Sequence, residues 1–185
     1  MLPVQRLLAH ALWLSSAAFA VQAGQPALTA TTSATGLPRA SGQEVLVFER
    51  AELSFRVDPA RRWLDGDATL TFVSGGTVDA LFVDLDRNYR IASVEVDGQA
   101  VAAGRWSNPE GRMCVDLPRP LAAGARATLR IRYAGQPHVA NKAPWDGGFV
   151  WANAPTGEPW VATAVQGEGC DLLWPCIDHP LGEPQ

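Results

Sequence analysis

The sequence predicts an all-β domain whose antiparallel sheets stack as a sandwich. Three observations lead there. From Glu44 onward apolar and polar residues alternate with a period of two; Asp97-Gly98 sits between two β-rich runs; and beyond the N-terminal leader no stretch sustains a 3.6-residue period over three turns. The size suits this reading, because 185 residues, 47% hydrophobic and 18% charged, fit one globular domain with a tail. A chain of that length buries enough surface to fold without staples.

At the N-terminus, "MLPVQRLLAHALWLSSAAFAVQAGQ" has one basic residue, Arg6, then an apolar run, then small residues ahead of cuts after Ala20 or Ala23. That is the pattern of a secretory signal peptide, assigned here to residues 1–23. It is shorter than the ~20 apolar residues a membrane anchor needs, so a periplasmic or secreted protein with no stable anchor is expected. Residues 24–43 are rich in Ala, Thr, Ser, Gly and Pro without a periodic apolar face, and read as a flexible linker. The sandwich is expected over residues 44–185.

Within it, "ELSFRVD" places Leu53, Phe55 and Val57 inside, and "GDATLTFV" does the same with Ala68, Leu70 and Phe72. In "ALFVDLD", Leu81, Val83 and Leu85 point inward and Asp84 and Asp86 outward. Asp97-Gly98 supplies the positive φ angles of a tight hairpin. Cys114 in "GRMCVDL" reads as a small buried hydrophobe, and Pro118 and Pro120 are expected to end that strand. "ATLRIRYAG" sets Leu129, Ile131 and Tyr133 inside. Beyond Gly135 the chain turns dense in Trp, Pro and Gly, with "GGFVW" and "PWVATAVQ" flanking a turn at Thr156-Gly157. Trp145, Phe149, Trp151 and Trp160 there read as packing residues rather than a binding groove.

A formal net charge of -4 excludes an electrostatic nucleic-acid footprint. H-E-x-x-H, G-x-S-x-G, the Walker loop and G-x-G-x-x-G are all missing from these 185 residues. Attention falls instead on "VQGEGCDLLWPCIDHP", Val165 to Pro180. Its Cys170, Cys176, Asp178 and His179 are close in sequence but lack the paired spacings of structural zinc sites, so no metal site is expected. Cys176 with His179 lacks an orienting third group, so no nucleophilic pair is expected either. Cys170 and Cys176 are near enough for a local disulfide; two unpaired thiols are the reading favoured.

The order "DLDRNYRIASVEVDGQAV", "LPRPLAAGARATLRIRYAGQP", "APWDGGFVW" and "WVATAVQGEGCDLLWPCIDHP" resembles the saddle-like N-terminal β-sandwich domain of M1 family zinc aminopeptidases, in particular the secreted bacterial branch carrying "QGEG" and "PCxDHP". The likeness runs from about Glu44 to the last residue. It implies a domain that packs against a thermolysin-like catalytic domain and lends one edge of the active-site cleft. It also implies that Gln166 helps hold the α-ammonium group of a peptide amino terminus, since an amide carbonyl accepts hydrogen bonds from a free amine. The residue two positions earlier, sometimes polar in the family, is Ala164 here. Zinc belongs to the family's H-E-x-x-H motif, which lies downstream of this segment, so the resemblance implies no catalytic residue and no metal ligand in this chain. Glu168, Asp171 and Asp178 read as structural, with Asp178 accepting backbone hydrogen bonds while Trp174, Pro175 and Cys176 pack beneath. Three readings stand open: part of a truncated or split aminopeptidase, inactive alone; a stand-alone secreted β-sandwich that binds peptides without catalysis; or a remnant. An exposed apolar face around "WVATAV" and "CDLLWP" is expected under the first.

Overall fold

A computed structural model describes residues 25–184; the signal peptide expected over residues 1–23 lies outside them. A short helix, α1 (Ser41–Glu44), precedes ten strands: β1 (Leu46–Asp58), β2 (Trp63–Ser74), β3 (Val78–Asp84), β4 (Arg90–Val96), β5 (Gln99–Ala100), β6 (Trp106–Ser107), β7 (Arg112–Leu121), β8 (Arg126–Gly135), β9 (Gly148–Asn153) and β10 (Pro159–Ala164). They form a five-stranded antiparallel sheet in the order β1-β2-β8-β4-β5, a three-stranded sheet β3-β7-β6 and a two-stranded sheet β9-β10.

The alternation in the sequence is what builds the core. Leu64, Ala68, Leu70 and Phe72 of β2, with Leu129 and Ile131 of β8, meet Leu81 and Val83 of β3 and Met113 and Val115 of β7, all fully buried. Sheet faces of this composition are stabilised by the apolar area they remove from water, at about 25 cal/mol per Å². At the β4–β5 hairpin Asp97 and Gly98 have φ of 49° and 75°, as the tight turn requires. The Asp97 carboxylate then accepts the Thr128 N–H at 2.8 Å, tying the turn to β8.

Five expectations are corrected. Leu53, Phe55 and Val57 do pair with Ala68, Gly66 and Leu64 on the core-facing side, yet they remain 39–40% exposed, because β1 is the edge strand and nothing lies beyond it among the described residues. Asp84 and Asp86, expected outside, are 3% and 1% exposed, since the segment after β10 lies over them. Cys114 is only partly buried; Met113 and Val115 take the inward positions on either side. Strand β7 also continues through Pro118 and Pro120 to Leu121. The register to β3 slips between Val78 and Ala80, and the slip absorbs residues that cannot donate to a ladder.

The fifth concerns residues 24–43, read as a flexible linker. Over its described part this stretch packs on the sandwich. The Thr29 hydroxyl donates to the Glu110 carbonyl at 2.6 Å, the Thr35 N–H donates to the Gly167 carbonyl at 2.9 Å, and Gln43 is fully buried. Small polar side chains, uninformative by periodicity, find backbone partners here instead.

Candidate functional site: the turn after β10

Strand β10 ends at Ala164, so Gln166 sits in a turn rather than in the expected strand. The turn closes with the Gly169 N–H donating to the Val165 carbonyl at 2.8 Å, and it presents Gln166 to solvent. Gly169 has a φ of 118°, and a Cβ there would collide with the Asp178 carboxylate, so glycine is required on both counts.

The next ten residues clamp this turn to the sandwich. A short 3-10 turn, Cys170–Leu172, places Asp171 and Leu172 at 0% exposure. Cys176 pairs with Asp84 of β3 through two backbone hydrogen bonds, 2.7 and 3.0 Å. The hydroxyls of Tyr89 and Tyr133 donate to the Leu172 and Leu173 carbonyls, both at 2.8 Å. Trp174 packs against Phe48 with ring centroids 6.1 Å apart. Asp178 accepts the Thr35 hydroxyl at 2.9 Å and the Cys170 N–H at 3.4 Å, as its expected role requires.

Asp84 organises the layer beneath. Its carboxylate takes Arg112 Nε at 2.9 Å, Gln43 Nε2 at 2.7 Å and the Asp178 N–H at 3.2 Å. Asp171 is the opposite case, because both its oxygens are buried without a hydrogen-bond partner. Burial first, and then the neighbouring carboxylates of Asp178, Asp84 and Asp86, push its pKa up to about 9. It is therefore a neutral acid at pH 7.

Cys170 and Cys176 are joined as a disulfide, with Cα atoms 6.3 Å apart, which corrects the expectation of two free thiols. The six-residue separation permits the bridge, and the 3-10 turn brings the two ends together. Asp178 lies beside both sulfurs. Cys176 is 1% exposed and His179 Nδ1 accepts the Leu181 N–H at 3.1 Å, so those two side chains do not form a nucleophilic pair. An open cavity of about 330 Å³ adjoins the clamp, lined by Thr35, Val165, Trp174, Asp178 and Glu183 among others; Gln166 stands outside its wall.

The aromatics divide. Phe149 is buried and Trp151 stacks on it at 5.4 Å, as expected of packing residues, whereas Trp145 and Trp160 are 75% and 52% exposed. In the β9–β10 register Trp160 lies opposite Ala152 and Ala162 opposite Val150, which gives this small sheet an apolar outer face.

No protein-family profile matches the sequence, and no curated protein does. Solved structures do. An M1 zinc metallopeptidase from Deinococcus radiodurans, in a variant bound to Tyr-Ser-Ala, aligns with a TM-score of 0.55 and 26% identity over 81% of this chain and 33% of its own. A variant of the two-domain M1 zinc metallopeptidase bound to L-arginine gives 0.56 and 26% over the same shares. The chain has the β-sandwich fold of the M1 zinc metallopeptidase N-terminal domain. Leukotriene A4 hydrolase from Saccharomyces cerevisiae shares the fold alone, with a TM-score of 0.56 and 18% identity over 77% of this chain and 22% of its own. The chain thus spans about a third of the M1 enzymes it matches. The residues present do not fit the zinc these enzymes are named for. The sequence has no H-E-x-x-H, and the two cysteines near Asp178 are bonded to each other.

Periodicity does not single out Asp84, Arg112, Gln43, Tyr89 and Tyr133 as supports of the site. A signal exists in "CDLLWPCI", whose apolar residues must cover some face of the sandwich and thereby bury whatever polar groups lie on it.

Proposed function

We propose that this domain is the substrate-side module of an M1-type zinc aminopeptidase, and that Gln166 accepts a hydrogen bond from the amino terminus of a bound peptide. The observation that carries the reading is the rim itself. An exposed glutamine stands on a turn held by a disulfide, two tyrosine hydroxyls and Asp178, in a fold shared with an enzyme bound to a tripeptide. A preorganised acceptor of this kind loses little of its interaction energy to ordering itself.

The module works against a catalytic domain that supplies the zinc, the activated water and the general base. Of the apolar face expected around "WVATAV" and "CDLLWP", the second segment is packed on the sandwich, with Leu172 and Pro175 buried. The outer face of β9–β10, with Trp160, Ala162, Val150 and Ala152, is the surface left for that docking, and its apolar character favours this over a stand-alone binding module. The 185 residues alone are expected to leave aminoacyl amides intact, because the H-E-x-x-H motif that would hold zinc and supply the base is not among them. Export to an oxidising compartment is supported by the leader-like N-terminus and by the disulfide.

The test is to read the coding DNA beyond the codon for Gln185, express whatever polypeptide carries an H-E-x-x-H frame there or in an adjacent gene together with this domain, and assay aminoacyl-amide hydrolysis. Gln166→Ala should lower kcat/KM by roughly tenfold or more, as loss of a hydrogen bond to a charged group predicts. Unchanged kinetics in that variant would remove Gln166 from the site, and the lack of any such frame would remove the aminopeptidase reading.

A further inference from the structure

The five-stranded sheet ends differently on its two sides. One side stops at β5, two residues long, whereas the other stops at β1, thirteen residues long. Soluble proteins blunt long sheet edges with prolines, bulges or inward-pointing charges, because a row of unpaired N–H and C=O groups templates further pairing. From Arg50 to Asp58, β1 has no proline, bulge or inward-pointing charge, and its only protection is the four charges on its outer face. Its bulge lies earlier, between Phe48 and Arg50; the stretch has no proline; and the core-face positions Ala51, Leu53, Phe55 and Val57 are all apolar. Three of them are 39–40% exposed.

The opposite face of the same stretch reads Arg50, Glu52, Ser54, Arg56, Asp58. This charge order inverts its sign when reversed about Ser54, so the strand is complementary to an antiparallel copy of itself. We propose that β1 pairs with β1 of a second copy of this chain about a two-fold axis at Ser54, joining two five-stranded sheets into one continuous sheet. In that register Glu52 of each copy meets Arg56 of the other, and Arg50 meets Asp58. On the core side Leu53 meets Phe55 and Ala51 meets Val57, closing the exposed apolar rows on each other. Neighbouring even registers fail, since centring on Leu53 sets Arg50 against Arg56 and centring on Phe55 sets Glu52 against Asp58. Odd shifts place core-face residues opposite charged ones. Three of the four charged side chains lie open, and the fourth, Asp58, uses one carboxylate oxygen to accept the Arg61 N–H at 3.1 Å and has the other left for Arg50. Arg50, Glu52 and Arg56 are 69%, 58% and 84% exposed, held now only by an Arg50–Glu52 contact of 2.6 Å along the strand and an Arg56–Asp65 contact of 3.0 Å. Cross-strand pairs of opposite charge and of apolar residues are the unit from which sheet pairing draws its stability.

Sedimentation velocity on the purified chain, over a series from a few micromolar to about 200 µM, reads this without reference to any peptidase activity. A reversible monomer–dimer equilibrium is expected. Glu52→Arg should weaken it by at least about tenfold, since the two-fold repeats the arginine–arginine clash. The double variant E52R/R56E should restore it to within about threefold, which an unfolded variant would not do. Phe55→Lys, checked for folding by circular dichroism, should leave the protein monomeric. A monomer throughout the series, a dimer indifferent to E52R, or a monomeric longer polypeptide whose remaining chain covers this edge would each overturn the proposal.

Discussion

Replacing Asp171 by asparagine should stabilise this domain, and the gain should grow with pH. Asp171 is fully buried, its oxygens have no partner, and its pKa of about 9 stands far above the ordinary aspartate value of 3.8. Between those two values the native state holds a proton that the unfolded chain releases, so stability falls as pH rises, at about 1.4 kcal/mol per pH unit. Below the unfolded pKa the penalty vanishes, and above the folded value it no longer grows. At pH 7 the interval of 3.2 units above 3.8 corresponds to an upper figure of about 4 kcal/mol. Asparagine has nearly the same shape and cannot ionise. Its amide is left as poorly partnered as the neutral acid it replaces, so the net gain at pH 7 should be about 1–3 kcal/mol. Urea unfolding followed by tryptophan fluorescence at pH 5, 6, 7 and 8 measures it. Other titrating groups act alike in both proteins, so the difference between the two stabilities should widen by about 1.4 kcal/mol per unit across the series. Two parallel stability curves would refute the reasoning, because they would mean that Asp171 is ionised in the folded protein and has found a counter-charge.

Arg112→Met should cost about 3 kcal/mol, because it leaves the buried Asp84 carboxylate without its cation, and a fall in melting temperature reports it. Tyr133→Phe removes the hydroxyl that holds the Leu173 carbonyl and should cost about 1–2 kcal/mol by chemical denaturation, with amide exchange rising over Cys170–Leu173. The double variant C170S/C176S reopens a short loop and should lose about 2 kcal/mol relative to the oxidised protein, while being indifferent to added reductant.

The strands are legible in the sequence because their signal is local. Leu64, Leu70, Leu129 and Ile131 are buried where a period of two places them, and Asp97-Gly98 turns where only positive φ will do. The illegible part depends on a third layer over the sandwich. The alternation in "ALFVDLD" is real, but Asp84 and Asp86 face the segment after β10 rather than water, and no pattern within β3 reports that cover. Leu53, Phe55 and Val57 fail in the opposite sense. They face the core side as expected, yet lie on the outermost strand, and strand order is a property of long-range pairing. The Cys170–Cys176 bridge depends on the 3-10 turn, and the ordering of residues 25–43 depends on carbonyls supplied by Glu110 and Gly167. The composition of that stretch predicts mobility only while no partner is in view.

These differences converge on one place. Thr35, Asp178, the disulfide, Asp84 with Arg112, and the hydroxyls of Tyr89 and Tyr133 all act on the segment from Val165 to Asp178. Sequence patterns place the sheets, and a polar layer that those patterns do not encode places the turn that carries Gln166. The layer includes a carboxylic acid kept neutral at a cost in stability. Proteins keep such arrangements where one fixed geometry matters more than the last few kcal/mol, which is the condition that the substrate rim proposed above would impose. If that is why Asp171 is there, then the asparagine variant, though more stable, should show faster exchange at the two hydrogen-bonded amides of the turn, Gly169 and Cys170, than the parent at the same pH. A turn as protected as before would mean that Asp171 adds only its cost.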